Sequence, residues 1–316
     1  SPSAIEELQW WVASLPTAYN EVTHGTPDVV INTDASLSGW GGVLHDLSCG
    51  GHWSLGEQTF HINYLELLAV LYVLQSFQTH LENKHVRVLI DNTTAVSCIT
   101  HMGTSHSDLC NRITKTIWEW CIATHIWISA AHIPGVDNVG ADIESRKLRD
   151  ETEWMLNRSV FSKVLEMLHL TPDIDLFASR LNHQVEQYVS YQPDPQAVAV
   201  DAFLINWEDY DIFYAFPPFS LITQVLQKIQ HQQATGLLIV PDWPTQIWYP
   251  KLMRMLIARP LLIPPEEKFL HLPYNPAKVH QLHKTLWLLA CHLSGDVSKT
   301  KVFQNQLPSI SLNHGE

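Results

Sequence analysis

The sequence contains no apolar run near the 18 or so residues that a membrane-spanning helix requires, and no signal peptide is visible. It has five cysteines and no C-x-x-C pair, which indicates reduced thiols in an intracellular protein, cytoplasmic or nuclear. Positive charge is scarce: 19 Lys and Arg face 32 Asp and Glu, a net charge of −13. Because phosphate affinity comes mainly from Lys and Arg, this balance argues against a protein that binds nucleic acid unaided. Nucleic-acid chemistry would require metal ions or a basic partner.

The chain has 316 residues, of which 46% are hydrophobic and 16% charged. These values predict two ordinary domains with real cores and argue against disorder. The start, SPSAIEELQWW, has no initiator Met, and we expect a segment of a longer polypeptide. Residues 1–27 are predicted to be a connecting helix, over 3–14, and a linker.

From residue 28 onward, strand-like and helix-like segments alternate, which predicts a first α/β block over 28–147. The predicted strands are 29–35, 40–47, 50–54, 86–91 and 126–132, and the predicted helices are 63–81, 93–101, 107–125 and 138–146. The remaining predicted segments are a linker and helix over 148–171, with the helix over 151–168, a second α/β block over 172–295, and a loose polar tail over 296–316.

Four carboxylates of the first block stand where burying a lone charge would be costly. They are Asp34 in DVVINTDASLSGWGG, Glu66 in INYLELLAVLYVL, Asp91 at the end of VRVLID, and Asp142 in NVGADIESR. Each alone has an ordinary explanation: a turn residue for Asp34, the wet edge of a helix for Glu66, a helix cap for Asp91 and surface charge for Asp142.

Taken together, the four acids favour a metal site. Two carboxylates about 4 Å apart repel by roughly 4 kcal/mol at an effective dielectric near 20. A cluster therefore needs raised pKa values or bound cations. Oxygen ligands without Cys or His suit Mg²⁺ or Mn²⁺, and two such ions about 3.5–4 Å apart can clamp the attacking and leaving oxygens of a phosphodiester.

The acids follow the order Asp–Glu–Asp–Asp, within or beside the segments TDAS, GWGG, LELLA, IDNTTA and AHIPGVDNVGADIESR. In this order and in these segments, residues 28–147 resemble the ribonuclease H family. The resemblance implies a mixed five-stranded sheet flanked by helices. It further implies that Asp34, Glu66, Asp91 and Asp142 hold two Mg²⁺ or Mn²⁺ ions for hydrolysis of the RNA strand of RNA/DNA hybrids. His132 precedes Asp142 by the spacing of the family's mobile-loop histidine, which implies a role in proton transfer and product release.

Two features depart from that family pattern. Glu144 stands where the retroelement motif usually has Leu, and we expect its charge to lie near Asp142 and to tune metal affinity. The short segment THMGTSHSDLC leaves no room for the basic substrate-gripping protrusion of some members, so an upstream reverse transcriptase domain would supply the grip. The stretch GWGG…HWS…HINYLELLAV is most similar to DIRS-type retrotransposons, which encode reverse transcriptase, ribonuclease H and a methylase-like domain in tandem.

In the second block, PDIDLFASRLNHQ, DIFYAFPPFS and GLLIVPDWPTQIWY resemble the Dam-like N6-adenine methyltransferases over about residues 172–250. The resemblance implies a Rossmann-like α/β domain that binds S-adenosylmethionine and a flipped adenine. The implied site residues are Asp175, Phe177, Ala178, Pro217, Pro218 and Phe219. Phe216 replaces the polar residue that would accept the adenine amino group, and DLFAS lacks a glycine. We therefore expect a methylase-like domain that is inactive or impaired.

Three functions remain open from the sequence. The first is a ribonuclease H endonuclease with an appended inactive domain. The second is an active DNA N6-adenine methyltransferase with a structural first block, and Phe216 argues against it. The third is a non-catalytic assembly module of a retrotransposon complex. A transposase of related fold is weaker, because that class usually ends its triad in Glu and lacks an acid at the position of Glu66.

Overall fold

The computed structural model describes residues 2–15, 25–147 and 153–306. The first block contains a five-stranded sheet of order β3-β2-β1-β4-β5, in which β1, β2 and β3 are antiparallel and β1, β4 and β5 are parallel. Its strands are β1 (Val29–Ala35), β2 (Gly39–Leu44), β3 (Leu47–His52), β4 (His85–Ile90) and β5 (Trp127–His132). The predicted mixed five-stranded sheet is thus confirmed.

Among the described residues up to 147 there are six α-helices: α1 (Pro2–Ser14), α2 (Ile62–Ser76), α3 (Gln78–Leu81), α4 (Thr93–Thr100), α5 (Asp108–Ala123) and α6 (Val139–Arg146). Side-chain caps begin three of them, since His61 Nδ1 accepts from the Asn63 amide, Asn92 from the Ala95 amide and Ser107 from the Cys110 amide. The single helix predicted over 63–81 is wrong in one respect. It breaks at the fully buried Phe77, whose φ of −105° and ψ of 15° are not helical.

Helix α2 is buried on nearly all sides, because it packs against β1 and β2 on one side and against α5 on another. Helix α6 covers the opposite face of the sheet. A Cβ built on Gly42 would meet the Val73 side chain of α2, whereas one on the adjacent Gly41 would meet the backbone of α6. Successive strand residues point to opposite faces, so the two helices sandwich the hairpin of β2 and β3.

The glycines of that hairpin allow α6 to approach the sheet closely. A Cβ on Gly41 would lie 2.5 Å from the Ser145 amide nitrogen and 2.6 Å from the Ala141 carbonyl oxygen. A Cβ on Gly50 would lie 3.1 Å from the Glu144 carbonyl oxygen. The glycine-rich sequence of the β2–β3 hairpin therefore sets the position of the helix that carries Asp142.

We expect Gly41→Ala to destabilise the chain by about 1–3 kcal/mol, because the added methyl group overpacks two backbones that cannot rotate away. Urea denaturation would measure the loss. Gly56→Ala is the matched control, since a Cβ at Gly56 meets no atom within 4 Å. Equal stability of the two variants would contradict the packing argument.

In the structure the second block extends beyond the predicted 172–295 to residues 153–306, and it contains a five-stranded sheet of order β12-β14-β11-β10-β7. Strands β7, β10 and β11 are parallel, while β14 runs antiparallel to its neighbours β11 and β12. Its strands are β6 (Met155–Leu156), β7 (Ile174–Asp175), β8 (Val189–Ser190), β9 (Ala199–Val200), β10 (Phe213–Ala215), β11 (Thr235–Pro241), β12 (Leu261–Ile263), β13 (Leu270–His271) and β14 (Leu288–Ser294). Its helices are α7 (Arg158–Leu168), α8 (Ile222–His231), α9 (Tyr249–Arg254) and α10 (Val297–Gln306). Apolar clusters cover both faces of the sheet.

Two sequence expectations differ from this block. The helix predicted from residue 151 begins at Arg158, because Met155–Leu156 pairs with β13 and Asn157 caps the helix through the Ser159 amide. Residues 148–152 lie outside the described residues. The expected loose tail is wrong for Val297–Gln306, which forms α10 and buries Thr300. The remainder, 307–316, is not among the described residues.

All five cysteines are buried, and none forms a disulfide with another. Within the described ranges, no helix combines the length and the apolar content needed to cross a lipid bilayer.

Candidate metal centre

Strand register brings two of the predicted acids side by side. The last residue pair between the parallel strands β1 and β4 is Thr33 with Ile90, so Asp34 and Asp91 follow next to each other at the carboxyl ends of their strands. Glu66 projects toward them from α2. Carboxylate oxygens of Asp34, Glu66 and Asp91 all lie within 4.8 Å of one another, a spacing that one or more cations can bridge.

Two of these carboxylates are almost fully buried. Asp34 and Glu66 are each 3% exposed. Burial, together with the charges of Asp34 and Asp91, raises the pKa of Glu66 to about 9, although the Ala35 amide donates a hydrogen bond to it. Burial also raises the pKa of Asp34, and the charges of Asp91 and Asp142 add to that rise.

The cluster also contains an unsatisfied acceptor. Glu66 Oε2 is buried and has no hydrogen-bond partner. A buried carboxylate oxygen without a donor is costly, and a hard divalent cation coordinated by oxygen would relieve that cost. The donor set contains carboxylates alone, which fits Mg²⁺ or Mn²⁺ better than softer metals.

The fourth predicted acid lies beside this trio but is held differently. Asp142, on α6, is outside the group of mutually close oxygens but near enough for its charge to raise the pKa of Asp34. Its Oδ1 accepts hydrogen bonds from Arg146 Nε at 2.7 Å and Nη2 at 2.6 Å. Its side chain is 41% exposed. The structure therefore gathers three of the four acids directly, with the fourth at the rim.

Sequence reasoning missed two residues of the site, Ser145 and Arg146. Ser145 Oγ donates to Asp34 Oδ2 at 2.5 Å and so links α6 to β1. Both residues follow Asp142 by three and four positions, which places them on its side of a helix. That spacing was the available signal in NVGADIESR.

His132 ends β5, where its backbone pairs with Ile90, the residue before Asp91. Its side chain is exposed. The predicted proton-transfer residue therefore lies on the strand next to the acid cluster.

Glu144 does not behave as its sequence position predicts. Two residues after Asp142 it points to the other side of α6, where its Oε1 lies 3.3 Å from Ser48 Oγ and 3.3 Å from Lys147 Nζ. The expectation that its charge lies with Asp142 is therefore wrong, because α6 turns this side chain toward β3.

The predicted cofactor-binding residues of the second block meet at one end of its sheet. Strands β7 and β10 are parallel neighbours that pair Asp175 with Tyr214, so residues 175–178 and 216–219 leave the same edge. The residues predicted from sequence for that site are Asp175, Phe177, Ala178, Pro217, Pro218 and Phe219. The carboxyl edge of parallel strands is where open α/β sheets bind ligands.

The chain itself occupies much of that edge. Asp175 is 2% exposed, its oxygens accept from the Phe177 and Gln184 amides at 3.3 and 3.0 Å, and burial raises its pKa to about 7. The Phe219 ring packs edge-on against Trp243 at 5.3 Å between centroids and lies 6.4 Å from the ring of Phe216.

Residues 26–120 match the family described as the RNase H-like domain found in reverse transcriptase. This range includes Asp34, Glu66 and Asp91 and ends before His132 and Asp142. The enzymatic polyprotein of Cauliflower mosaic virus (strain D/H) is 30% identical over 139 residues, 39% of this chain and 20% of the relative. That of Carnation etched ring virus is 27% identical over 136 residues, 40% of this chain and 20% of the relative. This chain thus spans about a fifth of the length of the curated relatives it matches.

Two solved structures are similar to 37% of this chain. RNase H1 from the halophilic archaeon Halobacterium salinarum NRC-1 is 18% identical, with 92% of that chain covered and a TM-score of 0.31. LC11-RNase H1 in complex with RNA/DNA hybrid is 21% identical, with 93% covered and a TM-score of 0.32. The family match therefore assigns residues 26–120 a likeness to the RNase H-like domain found in reverse transcriptases.

Proposed function

We propose that the first block is a ribonuclease H that hydrolyses the RNA strand of RNA/DNA hybrids and leaves 3′-hydroxyl and 5′-phosphate ends. The observation that carries this proposal is the convergence of Asp34, Glu66 and Asp91, with Asp142 at the rim. The match to RNase H-like domains of reverse transcriptase supports it.

In this proposal the four acids hold two Mg²⁺ or Mn²⁺ ions, which when bound supply an activated water and stabilise the leaving oxygen. Ser145 fixes the Asp34 carboxylate, and Arg146 neutralises Asp142 until the site is loaded. His132, on the strand beside the cluster, would accept or deliver the proton that accompanies departure of the product.

The proposed partner is an RNA/DNA hybrid presented by a reverse transcriptase domain of the same DIRS-type polyprotein, inside the cell. The net charge of −13 predicts weak binding of hybrid by this chain alone. Helix α4 ends at Thr100 and α5 begins at Asp108, which leaves residues 101–107 as the connection and no room for a basic protrusion.

For the second block we propose a methyltransferase-like domain that no longer transfers methyl groups. Three features support this: Phe216 cannot accept a hydrogen bond, Asp175 is already bonded to its own loop, and Phe219 packs on Trp243. The alternative of an active DNA N6-adenine methyltransferase would be supported by transfer of a labelled methyl group from S-adenosylmethionine to DNA. A non-catalytic assembly module would show neither activity.

A cleavage assay tests the nuclease. We expect the full chain to cut the RNA strand of a labelled hybrid with Mg²⁺, not with EDTA, and to cut faster when joined to an upstream reverse transcriptase. Single-stranded RNA and duplex DNA are the control substrates. Absence of cleavage in both forms, at any Mg²⁺ or Mn²⁺ concentration, would contradict the proposal.

A further inference from the structure

The loop between β7 and β8, residues 176–188, carries an arginine into the first block. The Arg180 guanidinium donates from Nη1 to Glu57 Oε1 at 2.9 Å and from Nη2 to Glu57 Oε2 at 3.0 Å. Nη1 also lies 3.2 Å from the Tyr72 hydroxyl, and Nη2 donates to the His52 carbonyl at 3.0 Å. The guanidinium carbon stands 4.4 Å from the centre of the Tyr72 ring.

This contact is buried, and its positive and negative charges are paired with each other. The side chains of Arg180 and Glu57 are 16% and 14% exposed. Burial alone would raise the pKa of Glu57, but the charge and hydrogen bonds of Arg180, with donors from Tyr72 and Ser54, bring it below its ordinary value. A bidentate arginine in such a pocket fixes both orientation and distance.

Arg180 is held equally firmly on its own side. Its amide donates to both carboxylate oxygens of Asp194, at 3.1 and 3.3 Å, and Asp194 also accepts from the Tyr188 hydroxyl. In this part of the chain β7 is followed by loop, with no helix before β8. The residue that joins the two blocks therefore follows directly on DLFAS, the segment predicted from sequence to be a cofactor loop.

The anchored elements are those that surround the acid cluster. Glu57 lies in the turn before α2, and Tyr72 lies on α2 itself, the helix that carries Glu66. Further contacts reach the β2–β3 hairpin and its exit: Gln192 Nε2 donates to the Gly50 carbonyl at 2.9 Å, and His52 stacks on Tyr274 at 3.8 Å.

We propose that Arg180 is a positioning residue for the metal centre, through which the second block holds α2 and the hairpin in place. The second block then acts on the proposed nuclease as a built-in brace, independently of any methyltransferase ancestry. This inference rests on the proposed function only for its metal-binding readout. Its second readout, the local stability of α2, is independent of that function.

The test compares the full chain with Arg180→Met and with Arg254→Met, a matched control at an exposed arginine whose side chain donates to the Pro250 carbonyl of its own helix, α9. We expect Arg180→Met to raise the Mg²⁺ dissociation constant, measured by calorimetry, by about tenfold or more, as loss of an orienting partner does. Amide hydrogen exchange in α2 should rise by about tenfold or more, while the sheet of the second block stays protected. Arg254→Met should match the wild type in both.

Two more variants separate positioning from charge burial. Arg180→Met leaves Glu57 buried and unpaired, whereas Arg180→Met with Glu57→Leu removes both charges. If Arg180 positions α2, exchange in α2 stays fast in the double variant; return to the wild-type rate would overturn the inference. Arg180→Lys keeps the positive charge but cannot make the bidentate contact, so its Mg²⁺ affinity and its exchange rate in α2 should lie between those of the wild type and Arg180→Met. If Arg180→Met does not fold, the lysine and double variants decide the question.

The outcomes also distinguish this inference from the proposed nuclease. Wild-type Mg²⁺ affinity and α2 protection in Arg180→Met would overturn the brace while leaving the nuclease intact. A wild-type chain that neither binds Mg²⁺ nor cuts hybrid would contradict the nuclease, and the exchange rates of α2 would still decide whether Arg180 braces it.

Discussion

Asp34→Asn in the full chain is expected to lose hybrid cleavage by about 1000-fold or more while keeping its fold. Asp34 has carboxylate oxygens within 4.8 Å of those of Glu66 and Asp91 and is also affected by the charge of Asp142, so its loss would remove a central ligand of the proposed metal site. Bound divalent ions contribute several kcal/mol of transition-state stabilisation, and about 4 kcal/mol corresponds to that factor. Initial rates on labelled hybrid with saturating Mg²⁺ would measure the effect.

The fold should survive because asparagine is isosteric with aspartate and its amide oxygen still accepts from Ser145 Oγ. The control is Asp108→Asn, which neutralises an acid of α5 whose side chain is 72% exposed. Circular dichroism and melting temperature would check folding in both. Wild-type cleavage by Asp34→Asn would remove the metal cluster from the mechanism.

The second large effect concerns Glu66 and pH. The folded-state pKa of Glu66 is raised from 4.5 to about 9, so its stabilising contribution is complete below pH 4.5 and is lost as pH rises toward 9. In that window the unfolded chain has released this proton and the folded chain retains it. The shift corresponds to at most roughly 6 kcal/mol. Without divalent ions, the chain should therefore become less stable from pH 5 to pH 9.

Glu66→Gln removes that dependence, so the variant should be more stable than the wild type at pH 9 in EDTA and similar to it near pH 4.5. Adding Mg²⁺ at pH 9 should stabilise the wild type, whose ionised carboxylate then binds the ion, and leave the variant nearly unchanged. Urea denaturation at several pH values would measure both. Parallel pH profiles for the two proteins would contradict the raised pKa of Glu66.

Much of the metal centre could be predicted because its signals are local. The sequence around Asp34 shows an acid after an apolar strand, and the sequence around Glu66 shows a single acid in an otherwise apolar helix. Parallel strands then bring Asp34 and Asp91 to one edge through ordinary register. The side of α6 on which Glu144 lies was harder to predict from sequence. The direction in which each side chain of this short helix points depends on how the helix packs against the glycine-rich hairpin.

The contact between the blocks could not be predicted. Arg180 and Glu57 are 123 positions apart, and neither lies in a periodic pattern that indicates a partner. The resemblance to Dam-like methyltransferases assigned the preceding segment DLFAS to a cofactor and gave no indication that Arg180 contacts the first block. The break at Phe77 and the helix that begins at Val297 were missed for a similar reason. At both places tertiary packing outweighs the local preference of the sequence.

The distance along the chain between the interacting residues has a consequence for biosynthesis. Asp34 is translated long before Ser145, the residue that fixes its carboxylate, and longer still before Arg180. Contacts this remote form late and slowly. A ribosome-bound intermediate that ends short of α6 therefore carries the first acids without the arrangement that would make them a nuclease.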